Sequence, residues 1–170
     1  MHTAKNNIVL IGMMGTGKST VGALLAAEAG LRLVDLDQMI ITETGLSIPE
    51  IFAQKGETFF RDTESRLLDQ VLADEGFVLA TGGGVVLREQ NCRAMLKNGI
   101  VVALKASADD IIARVGEDEN RPLLAGGAKE RVAALLEERK NAYDFAHHTV
   151  DTTGKNAEQV KLEILTRCRG

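Results

Sequence analysis

Ile8-Val9-Leu10-Ile11-Gly12-Met13-Met14-Gly15-Thr16-Gly17-Lys18-Ser19 carries an apolar run straight into the pattern G-x-x-x-x-G-K-[ST]. A short apolar run that ends in glycine reads as a buried strand delivering the chain to a turn. Gly12, Gly15 and Gly17 let successive backbone N–H groups, those of Met14 and Thr16 among them, converge on a phosphate. The helix that opens near Ser19 aims the positive end of its dipole at the same point. Lys18 adds a mobile cation for the β- and γ-phosphates. The hydroxyl of Ser19 or Thr20 is small and adjacent enough to ligate a bridging Mg²⁺, and Ser19 holds the motif position. With the amphipathic stretch Val21, Leu24, Leu25 following, these residues imply a site for a nucleoside triphosphate, with ATP and Mg²⁺ expected.

Working outward, 170 residues with 45% hydrophobic content suit one α/β domain with a sizeable core. A net charge of -4 argues against general affinity for nucleic acid, which demands clustered Lys and Arg. Cys92 and Cys168 lie far apart and lack C-x-x-C or Cys/His spacing, so neither a disulfide framework nor a zinc site is indicated and free thiols in a reducing cytoplasm are expected. The polar stretch Met1 to Asn7 and the short apolar run after it predict no signal peptide and no membrane span. A monomer is expected.

Short apolar runs alternate with helical periodicity, the pattern of a parallel sheet covered by helices. Five strands are expected, at Asn7 to Ile11, Leu31 to Asp35, Phe77 to Ala80, Ile100 to Leu104 and Thr149 to Val150. The spacing predicts helices over Lys18 to Ala29, Gln38 to Thr44, Ser47 to Lys55, Glu57 to Ala73, Arg88 to Asn98, Ala108 to Val115, Lys129 to Ala146 and Ala157 to Arg167. Gly30, Gly45 and Gly56 are read as stops, and Ser47-x-x-Glu50 as a capping box with Pro49 in the first turn. The charged, glycine-flanked stretch from Gly116 to Ala128 reads as a mobile loop between two helices, carrying Arg121 and Pro122.

Open α/β sheets place ligands at the carboxyl ends of their strands. Asp35-Leu36-Asp37 ends the second strand and Thr81-Gly82-Gly83-Gly84 the third, and Arg61, Arg121 and Arg139 can be brought over the same crevice. If the chain stays extended, Asp35 and Asp37 face opposite sides, one toward a metal and one toward a second ligand. Asp37 precedes Gln38 and is also a candidate helix cap. The triple glycine reads as a close approach of backbone to ligand. No Asn-Lys-x-Asp guanine reader occurs and no transporter signature is visible.

In combination, GMMGTGKSTVG at Gly12 to Gly22, Asp35-x-Asp37, Phe59-Phe60-Arg61-x-x-Glu64, Gly82-Gly83-Gly84, Arg121-Pro122-Leu123-Leu124 and Arg139-x-x-x-Tyr143 resemble, in that order, the shikimate kinases. These are small P-loop phosphotransferases of the nucleoside monophosphate kinase type, and the resemblance spans nearly the whole chain. It implies a three-layer P-loop fold with a mobile lid at about 116–128 and acceptor-binding helices at about 38–73. It implies ATP-dependent phosphorylation of a shikimate hydroxyl, a step of aromatic amino acid biosynthesis. By the resemblance, Asp37 binds ring hydroxyls, Arg61 and Arg139 hold the carboxylate, Gly82, Gly83 and Gly84 line the ring, and Phe52 and Phe60 form its apolar wall. It further implies that Asp35 assists Mg²⁺ through water, that Arg121 reaches the transferring phosphoryl group with Pro122 beside the acceptor, and that Arg114 and Asn156 contact the nucleotide base.

Asn141-Ala142 stands where the family usually has Pro-Leu, and Ala157 where a proline commonly borders the adenine. His147-His148 reads as a surface helix end, and Tyr143 as a residue that packs against or orients Arg139. A hydroxylated ring acid needs a planar bidentate cation for its carboxylate and a carboxylate for a hydroxyl, which the two arginines and Asp37 would supply. Glu64, three residues from Arg61, is placed to orient its fork. Lys18, Asp37 and Arg121 are the expected catalytic residues, with Asp37 either taking the hydroxyl proton or only positioning it. Kinases of gluconate or a nucleoside monophosphate, or a nonenzymatic ATP-binding module, remain as alternatives on the same fold.

Overall fold

The computed structural model describes residues 6–115 and 128–169. Its centre is a parallel sheet of five strands in the order β2-β3-β1-β4-β5. These are Ile8–Gly12 (β1), Arg32–Asp35 (β2), Phe77–Ala80 (β3), Ile100–Lys105 (β4) and His148–Asp151 (β5). β1 pairs with β3 on one side and β4 on the other, with Ile8 opposite both Val78 and Ile100. A strand covered on both faces has no side for water, and β1 and β3 are accordingly buried along their whole length. Period-two alternation divides the core between the two faces. Val9 and Ile11 join Leu79, Ile40, Leu68 and Met95 on one, while Leu10 joins Val78, Leu25, Val160 and Ile164 on the other.

The second face is covered by Lys18–Ala29 (α1) and Ala157–Arg169 (α8). The first is covered by Leu36–Thr44 (α2), Ile48–Gln54 (α3), Glu57–Leu72 (α4) and Glu89–Asn98 (α5), with Ala108–Val115 (α6) and Ala128–Glu138 (α7) completing the chain order. α1 and α2 stop at Gly30 and Gly45, both left-handed, and Ser47 and Glu50 form the reciprocal capping box. At the foot of the sheet the buried Asn7 side chain donates to the Asn98 carbonyl at 2.8 Å and accepts from Gly76 N–H at 2.8 Å, tying the starts of three strands.

Three expectations change. The helix expected through Ala146 ends at Glu138. Residues 139–146 continue in tight turns, Ala142 N–H bonding the Arg139 carbonyl and Ala146 N–H that of Tyr143, because buried side chains in this stretch are drawn to the sheet rather than along a helix axis. His147 and His148 are therefore no helix end. His147 Nδ1 accepts the Val101 N–H at 2.9 Å and His148 opens β5 opposite Val102. Thirdly, the strand stops at Asp35, whose Oδ1 caps α2 by accepting from Gln38 N–H at 3.1 Å, so Asp37 lies in the first helical turn and the cap is Asp35. Among the described residues no helix is long and apolar enough to cross a membrane.

Candidate active site

The carboxyl ends of β1, β3 and β4 meet at the glycine-rich turn. Gly12 has φ 143°, and a side chain there would collide with the Leu104 carbonyl, so the turn lies flat on β4. Thr16 Oγ1 donates to the Met13 carbonyl at 2.8 Å and closes the loop on itself. Gly15 and Gly17 take positive φ, and Gly17 is the residue from which α1 starts, which leaves its first N–H groups facing the turn. Lys18, almost buried, donates to the Gly12 and Met13 carbonyls, folded over the loop it serves. Ser19 Oγ donates to Asp35 Oδ2 at 3.0 Å, while Ser19 and Thr20 are exposed.

Beside this turn lies a cavity of about 220 Å³ lined by Thr16, Thr20, Arg114, Thr152, Lys155 and Ala157. Arg114 bridges the two sides, donating to the Gly15 carbonyl at 3.0 Å and to Thr152 Oγ1 at 3.2 Å. Asn156 is not in the lining. Its side chain and that of Gln159 cap α8 reciprocally at 2.8 Å, and its neighbours Lys155 and Ala157 face the cavity instead. Thr152 and Lys155 carry no pattern that marks them in the sequence, since they belong to an ordinary strand-to-helix turn.

On the other side, the three glycines of residues 82–84 each abut a different polar side chain. A methyl on Gly82 would stand 2.9 Å from Asp37 Oδ1, one on Gly83 3.4 Å from Arg139 Nη1, and one on Gly84 would fall on the Arg61 guanidinium. The position on Gly83 is also 3.4 Å from the Met14 backbone nitrogen, so this turn touches the phosphate loop. The structure thus brings together Asp37, Arg61, Arg139 and the glycine turn, contributed by four separate segments. Phe52 and Phe60 stack at 4.9 Å between ring centres, and Arg61 lies over Phe60 at 5.0 Å.

Two further residues shape this half. Glu64, fully buried, pairs with Arg61 Nη1 at 3.0 Å. Burial pushes its carboxyl up to about 7 while the Arg61 charge and hydrogen bond draw it down, Asp37 raising it and Arg88 lowering it more weakly. Arg88 clamps α4 from the glycine side, donating to Asp62 Oδ1 at 2.7 Å and to the Arg61 carbonyl at 3.3 Å. Sequence reading reached Glu64 through its spacing from Arg61 and missed Arg88, whose partners lie 23 to 27 residues away. Arg121 and Pro122, with the lid expected around them, fall outside the described residues.

A phosphate-cradling turn that abuts a separate pocket of one carboxylate and two arginines defines a P-loop phosphotransferase with a small anionic acceptor. The profile of the shikimate kinase family matches residues 14–169. A shikimate kinase from Persephonella marina is 44% identical over 163 residues, covering 96% of this chain and 99% of that protein. One from Geobacter sulfurreducens is 45% identical over 96% of this chain and 91% of its own length. Among solved structures, a shikimate kinase from Acinetobacter baumannii in complex with shikimate superposes with a TM-score of 0.93 at 36% identity, over 99% of this chain and 94% of that one. The chain belongs to the shikimate kinase family.

Proposed function

We propose that this chain transfers the γ-phosphoryl group of ATP to a ring hydroxyl of shikimate. The observation that carries the reading is the convergence of Asp37, Arg139 and Arg61 on three consecutive glycines in contact with the phosphate loop. Two guanidinium groups meet a carboxylate in planar, charge-assisted hydrogen bonds, and Asp37 accepts from a hydroxyl. The ring rests on side-chain-free backbone, with Phe52 and Phe60 at its apolar edge. In the transfer, the hydroxyl oxygen bonds to the γ-phosphorus and the bond from that phosphorus to the β,γ-bridging oxygen breaks. The hydroxyl proton passes to Asp37, the carboxylate at hand. Lys18 leaves the Gly12 and Met13 carbonyls for the phosphates and offsets charge as it moves onto the leaving oxygen.

Ser19 and Asp35 fit Mg²⁺: their oxygens lie 3.0 Å apart beside the phosphate turn, a hydroxyl for direct ligation and a carboxylate for a bound water. Held by Ser19 and Asp35, the ion would supply charge neutralisation for the phosphates. Arg114 packs at the base-side cavity, while the role of Arg121 toward the moving phosphoryl group rests on the family resemblance. A cytoplasmic location and a monomeric state belong to the same reading, the former supported by Cys92 and Cys168 as free thiols.

The test is ADP release coupled to a reporter, across shikimate, quinate, gluconate and nucleoside monophosphates with ATP and Mg²⁺. Release dependent on shikimate is expected. Release driven instead by gluconate or a nucleoside monophosphate overturns the acceptor, and release indifferent to every acceptor overturns the transfer.

A further inference from the structure

The two acceptor arginines are held in different ways. Arg61 sits inside a helix and is paired along that helix with the buried Glu64. Arg139 follows the last residue of α7, at the start of the turns over 139–146. Its Nε, like that of Arg61, is buried without a hydrogen-bond partner among the described residues, and its Nη1 lies against Gly83. A buried guanidinium with part of its fork unsatisfied depends on its surroundings for its angle, and here the local backbone is a series of short turns rather than a helix.

Tyr143, the single tyrosine of the chain, ties these turns to the glycine segment. It is 5% exposed, and its hydroxyl donates to the Gly83 carbonyl at 2.7 Å, across 60 residues of sequence. Burial pushes the phenol up from its ordinary range, while the charge of Arg139 and a side-chain hydrogen bond from it act the other way. The phenol therefore stands between Arg139 and the glycine that Arg139 packs on, with its O–H donated to the Gly83 carbonyl.

We propose that Tyr143 is a positioning residue for the reaction: through its hydroxyl it locks the turn segment bearing Arg139 to Gly83 and so sets the angle at which Arg139 meets the acceptor carboxylate. A tyrosine that only filled space would need its ring and not its hydroxyl. The inference rests on the reading of Arg139 as a carboxylate ligand.

Steady-state kinetics on Tyr143→Phe, Arg139→Ala and the double variant separate the two. Tyr143→Phe keeps the ring, and it is expected to raise KM for shikimate on the order of 10-fold, the scale of one lost buried hydrogen bond, with KM for ATP unchanged. In the Arg139→Ala background the same change is expected to add nothing, because coupled residues are not additive. An unchanged shikimate KM in Tyr143→Phe overturns the proposal, as does an equal rise in the Arg139→Ala background or a parallel rise for ATP. If Arg139→Ala itself leaves the shikimate KM unaltered, the reading of the acceptor site falls, and this proposal with it.

Discussion

The phosphate half of the proposed site and its acceptor half are made of different material. The first is one unbroken run, Gly12 to Ser19, whose working groups are mostly backbone N–H. The second gathers Asp37 from α2, Arg61 from α4, Gly82 to Gly84 after β3 and Arg139 after α7, and its working groups are mostly side chains. Gly12 and Gly84 condense the contrast. A methyl group on either meets an immediate obstacle, but at Gly12 the obstacle is the carbonyl of a central strand, and at Gly84 it is the tip of an arginine. A site of backbone is lost as a whole, and a site of side chains is lost one contact at a time.

That contrast is open to direct attack. Gly12→Ala should have the largest effect, because φ 143° and the Leu104 carbonyl leave a side chain neither conformation nor room. A loss of about 3 kcal/mol or more in urea unfolding is expected, with ATP affinity gone. Wild-type midpoints in such a variant would break the comparison at its root. Lys18→Ala should fold and bind nucleotide while turnover drops on the order of 10²- to 10³-fold, as when one charge-stabilising donor is removed. Near-normal kcat would show the phosphate half to be backbone alone.

The third prediction concerns pH. Glu64 holds its proton up to about 7 in the folded chain against 4.5 for the ordinary group, so folding takes up a proton between these values. Its influence on stability is absent below the lower value, grows unfavourably as pH rises through the window, and levels off above about 7, reaching at most about 3 kcal/mol. Glu64→Gln should remove that part of the slope, which urea midpoints at about pH 5 and about pH 8 will read. Identical slopes in the two proteins would mean that Arg61 neutralises Glu64 throughout. The smallest effect is expected for Gly84→Ala. Unfolding and ATP affinity should stay near wild type while shikimate KM rises roughly 10- to 100-fold, the penalty of a misplaced positioning group. Equal damage to ATP would place Gly84 with the backbone half and blur the distinction.

The same contrast explains what could be read from the chain before its fold was known. The phosphate turn, the capping box at Ser47 and Glu50 and the glycine stops were legible because each is a local event, written within a few residues. The continuous apolar runs identified β1, β3 and β4 for the same reason. The order of strands was not legible, because periodicity reports which residues are buried and nothing about neighbours. Residues 139–147 misled because an amphipathic pattern continues past Glu138, while Tyr143 and the Val101 N–H, both satisfied at a distance, determine the actual path. At Asp35 and Asp37 the expected extended geometry was wrong, since the helix begins one residue after the strand ends. The acceptor half was accessible chiefly through the family resemblance, its members being scattered over about a hundred residues.

β1, third of the five strands across the sheet, has both its partners far downstream: Ile8 faces Val78 and Ile100. On the ribosome, at roughly 5–20 residues per second, the strand that leads into the nucleotide turn emerges several seconds before either edge of it can be paired. This strand is thus made before both of its partners and finished only after them. For that interval the run Ile8 to Ile11 is an unpaired apolar edge, the kind of segment that chaperones hold and aggregates recruit.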